Sequence, residues 1–352
     1  MKTVKYIAAL CSGFLLLLIA FPTSKACTRV VYKGLDGLVL TARSMDWKSD
    51  IQSNLWIFPR GITRNGEVGA NSVKWTSKYG SVIVTGYDIS TTDGMNEKGL
   101  VANILWLVES EYPVRDESKP GMSIAIWAQY VLDNYATVAE AVAALKNEPF
   151  QIVTDNVPGE LRTATLHMSL SDKHGDNAIF EYIKGKLVVH HDTAYNVMTN
   201  SPIFEKQLAL DEYWREIGGT VMLPGTNRAA DRFVRASFYA ESTPKTADMH
   251  VGVASMFSVI RSCSTPLGIS TPDQPNISST RWRIVADHKN LVYFFESTMT
   301  PNTFWVNFKN VDFSQGAPIK KLSVANHETY AGDASKNFVA SKPFAFLGTN
   351  HK

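Results

Sequence analysis

Cysteine is scarce in this sequence: Cys11, Cys27 and Cys263 are the only three among 352 residues. A chain of this size with so few cannot rest on a framework of disulfides. Charge of one sign is also missing. A formal net charge of +2 gives no electrostatic claim on nucleic acid or on an anionic membrane surface. No cysteine–histidine group has the spacing of a zinc site. His190 and His191 are neighbours on an expected strand, so they point to opposite faces and cannot chelate one ion. Internal repeats and low-complexity linkers are absent, and 45% hydrophobic with 19% charged residues excludes a disordered chain. Long apolar runs are lacking too, save one at the N-terminus.

Residues 1–26 read as a secretory signal peptide. Lys2 and Lys5 form its basic region, Tyr6 through Ala20 its apolar region, and Ser24-Lys25-Ala26 puts small residues where a signal peptidase reads. The apolar run is too short for a permanent membrane anchor. Cleavage after Ala26 leaves Cys27 first, removes Cys11, and takes the net charge from +2 to −1 with the loss of Lys2, Lys5 and Lys25. The new α-amine, with an ordinary pKa of about 7.7–8.0, is an unprotonated base near neutral pH without help, so one residue then holds nucleophile and base. Two other readings compete. A lipoprotein signal also ends before Cys, but wants Leu where Ser24 stands. A Cys27–Cys263 disulfide is the alternative to a working thiol.

Residues 27–352 read as one domain. Thr28–Lys33 and 38–45 are apolar and β-branched, separated by Gly34-Leu35-Asp36-Gly37, a β-hairpin pattern. Further strands are expected at 79–87, 100–108, 163–171, 178–183, 186–191, 195–198, 281–286, 291–296 and 303–308, with 92–99 as a turn. Helices are expected at 123–134, from Thr137 with a Thr137/Glu140 capping box to Lys146, and at 202–215 and 229–240. This order, without regular βαβ alternation, predicts an α+β fold of packed antiparallel sheets with helices outside.

To hydrolyse an amide, Cys27 needs a group that favours its thiolate and donors for a developing oxyanion. The hairpin brings Ala42-Arg43-Ser44-Met45-Asp46-Trp47 beside it. Arg43 would lower the thiol pKa and Asp46 would orient the amine. Equally, the two form a surface pair worth about 0–1 kcal/mol. A papain-like site is excluded because Thr28 and Arg29 follow the cysteine. Asn276-Ile277-Ser278 matches a glycosylation acceptor, a motif short enough to recur by chance.

Cys27-Thr28-Arg29 and the 42–47 stretch resemble the choloylglycine hydrolase family, as do Asp93-Gly94-Met95-Asn96-Glu97-Lys98-Gly99-Leu100, Met198-Thr199-Asn200-Ser201-Pro202, and Leu223-Pro224-Gly225-Thr226-Asn227-Arg228-Ala229-Ala230-Asp231-Arg232-Phe233-Val234-Arg235. The five blocks lie in family order. The resemblance implies an N-terminal nucleophile hydrolase fold, an αββα sandwich of two antiparallel sheets flanked by helices. It implies a linear-amide hydrolase without cofactor or metal, acting on small N-acyl substrates such as penicillin V or N-acyl homoserine lactones. It implies Cys27 as nucleophile, Arg43 and Asp46 as its support, Asn200 and the backbone N–H of Trp106 as oxyanion donors, and Arg232 as a second active-site arginine. On their residues alone, Asn200 reads as a turn residue and Arg232 as a helix-surface charge. Likeness to exported Gram-negative relatives implies a periplasmic homotetramer with no membrane anchor. Trp106 departs from the Asn common in bile salt hydrolases. With Trp47 it suggests an aromatic wall for an acyl group, against the plainer reading of two core tryptophans. A conjugated bile salt hydrolase and a non-catalytic periplasmic binding protein are the alternatives.

Overall fold

A computed structural model describes residues 27–218, 222–272 and 277–349. The signal segment 1–26 and Asn276 of the glycosylation triplet lie outside them. Two large sheets pack face to face. One has seven strands, with β1 (Thr28–Lys33) and β2 (Val39–Trp47) flanked by Val197–Met198 on one side and by Ser279–Asp287, Val292–Ser297, Thr303–Asn307 and Gly332–Asp333 on the other. The other has nine, running from Lys186–His191 at one edge through the central Val101–Trp106 and Ser90–Asn96 to Val339–Ala340. Every pairing within the two is antiparallel except a short parallel contact of Phe304 with Gly332.

Alternation along the strands builds two cores. Leu55, Ile57, Val82 and Val84 join the core shared by the two sheets, whereas Trp56, Phe58 and Ile83 face a second core, as a period of two requires. Helices α1 (Trp127–Asn134) and α2 (Val138–Leu145) contribute Trp127, Val131, Leu132 and Val138 to that second core. On the opposite side, α3 (Phe204–Ile217) packs on α4 (Ala229–Ser242), which lies on β1, and α5 (Met249–Ser262) lies on β2. Among the described residues no helix is long and apolar enough to cross a membrane.

The β1–β2 hairpin forms where its pattern predicts, and Asp36 and Gly37 turn it at positive φ. Thr137 Oγ1 accepts from Glu140 N at 3.2 Å, so that cap is real, although Glu140 Oε2 returns to Ala136 N. Two expectations need correction, and two elements had not been expected. The stretch 92–99 is not a turn: Ser90–Asn96 is a buried strand and only 97–99 turns. Its polar residues are buried because each is satisfied. Asn96 Nδ2, for example, donates to Leu132 O and Tyr135 O. Gly94 is required there, since a Cβ would lie 2.8 Å from Val82 O. Helix α5 went unpredicted, as did Leu55–Phe58, although Asp248 caps α5 by accepting from His250 N and Val251 N. The second hairpin strand runs to Trp47, which places Asp46 and Trp47 on the sheet.

A buried histidine ties the sheets together. His288 Nδ1 donates to Gly99 O at 2.7 Å, so its Nε2 accepts from Thr41 Oγ1 at 2.8 Å. Burial pushes its pKa down to about 4. Below its ordinary value of about 6.5 the unfolded chain takes up a proton that the fold refuses. Stability therefore falls as pH drops from about 6.5 to about 4. Urea midpoints compared at about pH 7 and about pH 5 should differ less in His288→Gln than in the parent. An unchanged difference would assign the acid sensitivity elsewhere.

Candidate active site

Cys27 sits at the head of β1, and the hairpin register sets Thr28 opposite Ser44 and Arg29 opposite Arg43. The sulfur therefore lies against the end of β2. Asp46 N donates to Cys27 Sγ at 3.5 Å, and Met45 Sδ is 3.8 Å away. In the full-length chain Cys27 N is a peptide nitrogen, and it marks the place of the α-amine that removal of residues 1–26 would create. It donates to Asn200 Oδ1 at 2.6 Å. Cys27 and Cys263 are both free and buried, so the expected alternative of a bridge between them is not formed.

Asn200 is not a surface turn residue. It is buried, and its amide has one orientation that satisfies its partners. Oδ1 accepts from Cys27 N and from Arg232 Nη2 at 3.0 Å, while Nδ2 donates to Trp106 O at 2.7 Å. What Trp106 sets against Asn200 is thus its carbonyl. Gln207 Nε2 holds the backbone by donating to Asn200 O at 3.0 Å.

Arg232 is likewise no surface charge. It is fully buried on α4. Its Nη1 donates to Cys27 O at 2.5 Å and Thr28 Oγ1 at 2.6 Å, and its Nε to Asn227 O at 3.0 Å. One guanidinium therefore joins the Cys27 carbonyl to the Asn200 amide.

The proposed surface pairing of Arg43 with Asp46 is also overturned, because both are fully buried and face opposite sides of β2. Arg43 pairs with Asp93 at 3.0 Å and donates to Thr92 O at 2.8 Å and Ile104 O at 2.6 Å. Its Nη2 lies 3.7 Å from Met45 Sδ, the same sulfur that touches Cys27. Burial pushes the Cys27 thiol up. Arg43 does pull the thiol down, as expected, but burial outweighs that pull.

Burial also pushes the Asp46 carboxyl up, to about 7, against the pull of Arg232, Thr280, Arg283 and Arg43. Apart from the Thr280 hydroxyl, which lowers its pKa by hydrogen bonding, the Asp46 carboxyl meets no side-chain donor. A buried carboxyl in that state calls for a further partner.

The Cys27 side opens on a mainly apolar cavity whose lining includes Cys27, Met45, Trp47, Ile104, Trp106 and Val157. Trp47 and Trp106 are tilted neighbours, with ring centroids 5.8 Å apart. Trp47 Nε1 donates to Tyr87 OH at 2.9 Å, and the Arg162 guanidinium lies 4.5 Å over the Trp106 ring. The two tryptophans are buried core residues, as the plainer reading has it, and both also line this cavity. Sequence reasoning missed Asp93 as the partner of Arg43, Met45 as the group between Arg43 and the thiol, and Leu347, which reaches the cavity from the C-terminal tail. Among the described residues no group of three or more His, Cys, Asp or Glu is placed to hold a metal.

The profile of a family described as linear amide C–N hydrolases, choloylglycine hydrolase family, matches residues 27–321. A penicillin V acylase of Pectobacterium atrosepticum is 54% identical over 351 residues, covering 92% of this chain and 93% of that one. The structure of penicillin V acylase from Agrobacterium tumefaciens superposes with a TM-score of 0.86 at 61% identity, covering 92% of this chain and all of that one. A conjugated bile acid hydrolase variant from Clostridium perfringens, 24% identical, shares the fold with a TM-score of 0.72 over 84% of this chain and 97% of that one.

Proposed function

The chain belongs to the choloylglycine hydrolase family of linear amide C–N hydrolases, and from that premise we propose that it is an exported N-acyl amide hydrolase whose nucleophile is Cys27. The enzyme is of the penicillin V acylase type. One observation carries the assignment of the nucleophile: Cys27 N rests on Asn200 Oδ1 while the same residue lines an apolar, tryptophan-walled cavity. The family match begins at residue 27, which supports a mature chain starting there.

The reaction then runs as follows. The α-amine of Cys27 takes the thiol proton, and the sulfur attacks the acyl carbonyl carbon. A base is needed because burial holds the thiol protonated. Negative charge develops on the carbonyl oxygen, where the second N–H of Asn200 Nδ2 and the Trp106 N–H are the proposed donors. Such a donor is typically worth about 10²–10³ in rate. The C–N bond breaks, the amine nitrogen leaves with the proton from the α-ammonium, and a thioester remains on Cys27. Water, deprotonated by the same α-amine, then releases the carboxylic acid and restores the thiol. Asp46, buried and hydrogen-bonded by Thr280, is proposed to orient the α-amine. Arg232 fixes Asn200 and the Cys27 carbonyl.

Trp47 and Trp106 favour a flat aromatic or linear acyl group, as in penicillin V or N-acyl homoserine lactones, over the sterol face of a bile salt. By likeness to its relatives the chain is proposed to act in the periplasm as a homotetramer. A binding protein on the same fold is the rival reading.

A substrate panel with product detection by mass spectrometry tests the proposal. Penicillin V should give phenoxyacetic acid and 6-aminopenicillanic acid, and an N-acyl homoserine lactone should give free fatty acid and homoserine lactone. Saturable binding with no acid released from any amide would favour the binding protein.

A further inference from the structure

The last described stretch, Ser341–Thr349, has no regular secondary structure and is nonetheless pinned along its length. Ser341 N donates to Ile319 O at 2.9 Å, and Thr349 N donates to Glu67 O at 3.0 Å. Between these points Phe344 and Phe346 lie 4.7 Å apart, ring to ring. Phe344 meets Trp56 at 5.2 Å and Phe58 at 5.9 Å, and Phe346 is buried in the outer core. These aromatic anchors set Leu347 against the reaction cavity. Its N–H donates to Ile89 O at 2.9 Å, and its carbonyl accepts from Ser123 Oγ at 2.7 Å. With both backbone groups occupied, the isobutyl group is what Leu347 has left to offer the cavity it lines along with Cys27, Trp47 and Trp106. The stretch lies beyond the residues that the family profile matches, 27–321.

We infer that this tail is a strap and that Leu347 is a specificity-determining residue, which limits the length of acyl chain the cavity accepts. The inference rests on the reading of that cavity as the acyl site. An apolar wall discriminates by fit. One methylene gained or lost in such a pocket changes transition-state binding by roughly 10- to 200-fold. Leu347→Ala removes three carbons from the wall, and Leu347→Trp adds bulk to it, in each case at a residue that carries no catalytic group.

The experiment uses the mature protein and a graded series of straight-chain N-acyl amides. In Leu347→Ala the ratio of kcat/KM for long over short chains should rise by about 10-fold or more, and in Leu347→Trp it should fall by a similar factor. General loosening of the tail would move both variants in one direction. A parallel measurement needs no turnover: binding of straight-chain carboxylic acids to the Cys27→Ala protein, with and without each Leu347 change. The same opposed shifts are expected there. If the parent hydrolyses the amides but neither variant shifts its profile, the strap has no role in selectivity and the hydrolase reading stands. If no amide is hydrolysed while the acids still bind with opposed shifts, the hydrolase reading fails and the strap survives. Binding and turnover both unmoved by the variants would overturn it.

Discussion

Cys27→Ala will fold and will not turn over amide. The side chain is buried at a strand end, but Ala keeps the Cys27 N to Asn200 Oδ1 bond and the Arg232 Nη1 to Cys27 O bond, both of which use backbone atoms. Loss of a nucleophile in a hydrolase that acts through one costs on the order of 10⁶ in kcat. A second variant separates the thiol from the amine. A chain that keeps one residue ahead of Cys27 retains the sulfur and converts the amine to an amide, which is no base. Loss of general-base work costs roughly 10²–10⁴. Activity should therefore fall in the order parent, extended chain, Cys27→Ala, with thermal unfolding nearly constant. N-terminal sequencing of the parent must show a free Cys27. An extended chain as active as the parent would take the base away from the α-amine.

Arg43→Met will cost more stability than any surface change in this chain. Burial pushes the Asp93 carboxyl up, and Arg43, Tyr293 and Asn103 pull it back. Asp93 Oδ2 accepts from Arg43 Nη1 at 3.0 Å and from Asn103 Nδ2 at 2.7 Å. Removing one partner of a buried pair leaves an uncompensated charge, a loss of about 3–5 kcal/mol. The strand that carries Asp93 belongs to the nine-stranded sheet and Arg43 to the seven-stranded one, so the loss is one of sheet-to-sheet attachment. Replacing both, with Asp93→Leu added to Arg43→Met, should recover part of it in urea unfolding. Strictly additive losses would show that the two groups do not act on each other.

The parts of the site legible in the sequence were those written locally. The β1–β2 hairpin follows from alternation and a glycine-bearing turn, and its register alone carries Arg43 and Asp46 to Cys27. The capped start of α2 and the packed antiparallel sheets with helices outside were equally readable, whereas the αββα layering came from the family resemblance. Asp93 was not. Its run of Asp, Gly and Asn carries turn chemistry, and only partners distant in sequence make that run a buried strand. The thiol misled for a related reason. A nearby arginine was visible in the sequence, whereas the depth of burial that outweighs it is a property of the packed sheets. Helix α5 had a cap at Asp248 and apolar Val253, Met256, Phe257 and Ile260 at helical spacing. Leu347 had no local signal, because a pinned extended tail has neither period nor cap.

Cys27 and Leu347 line one cavity from near the two ends of the described chain. A group attached directly ahead of Cys27 or beside Leu347 will therefore border that cavity, and immobilisation is better made through an exposed lysine on an outer loop.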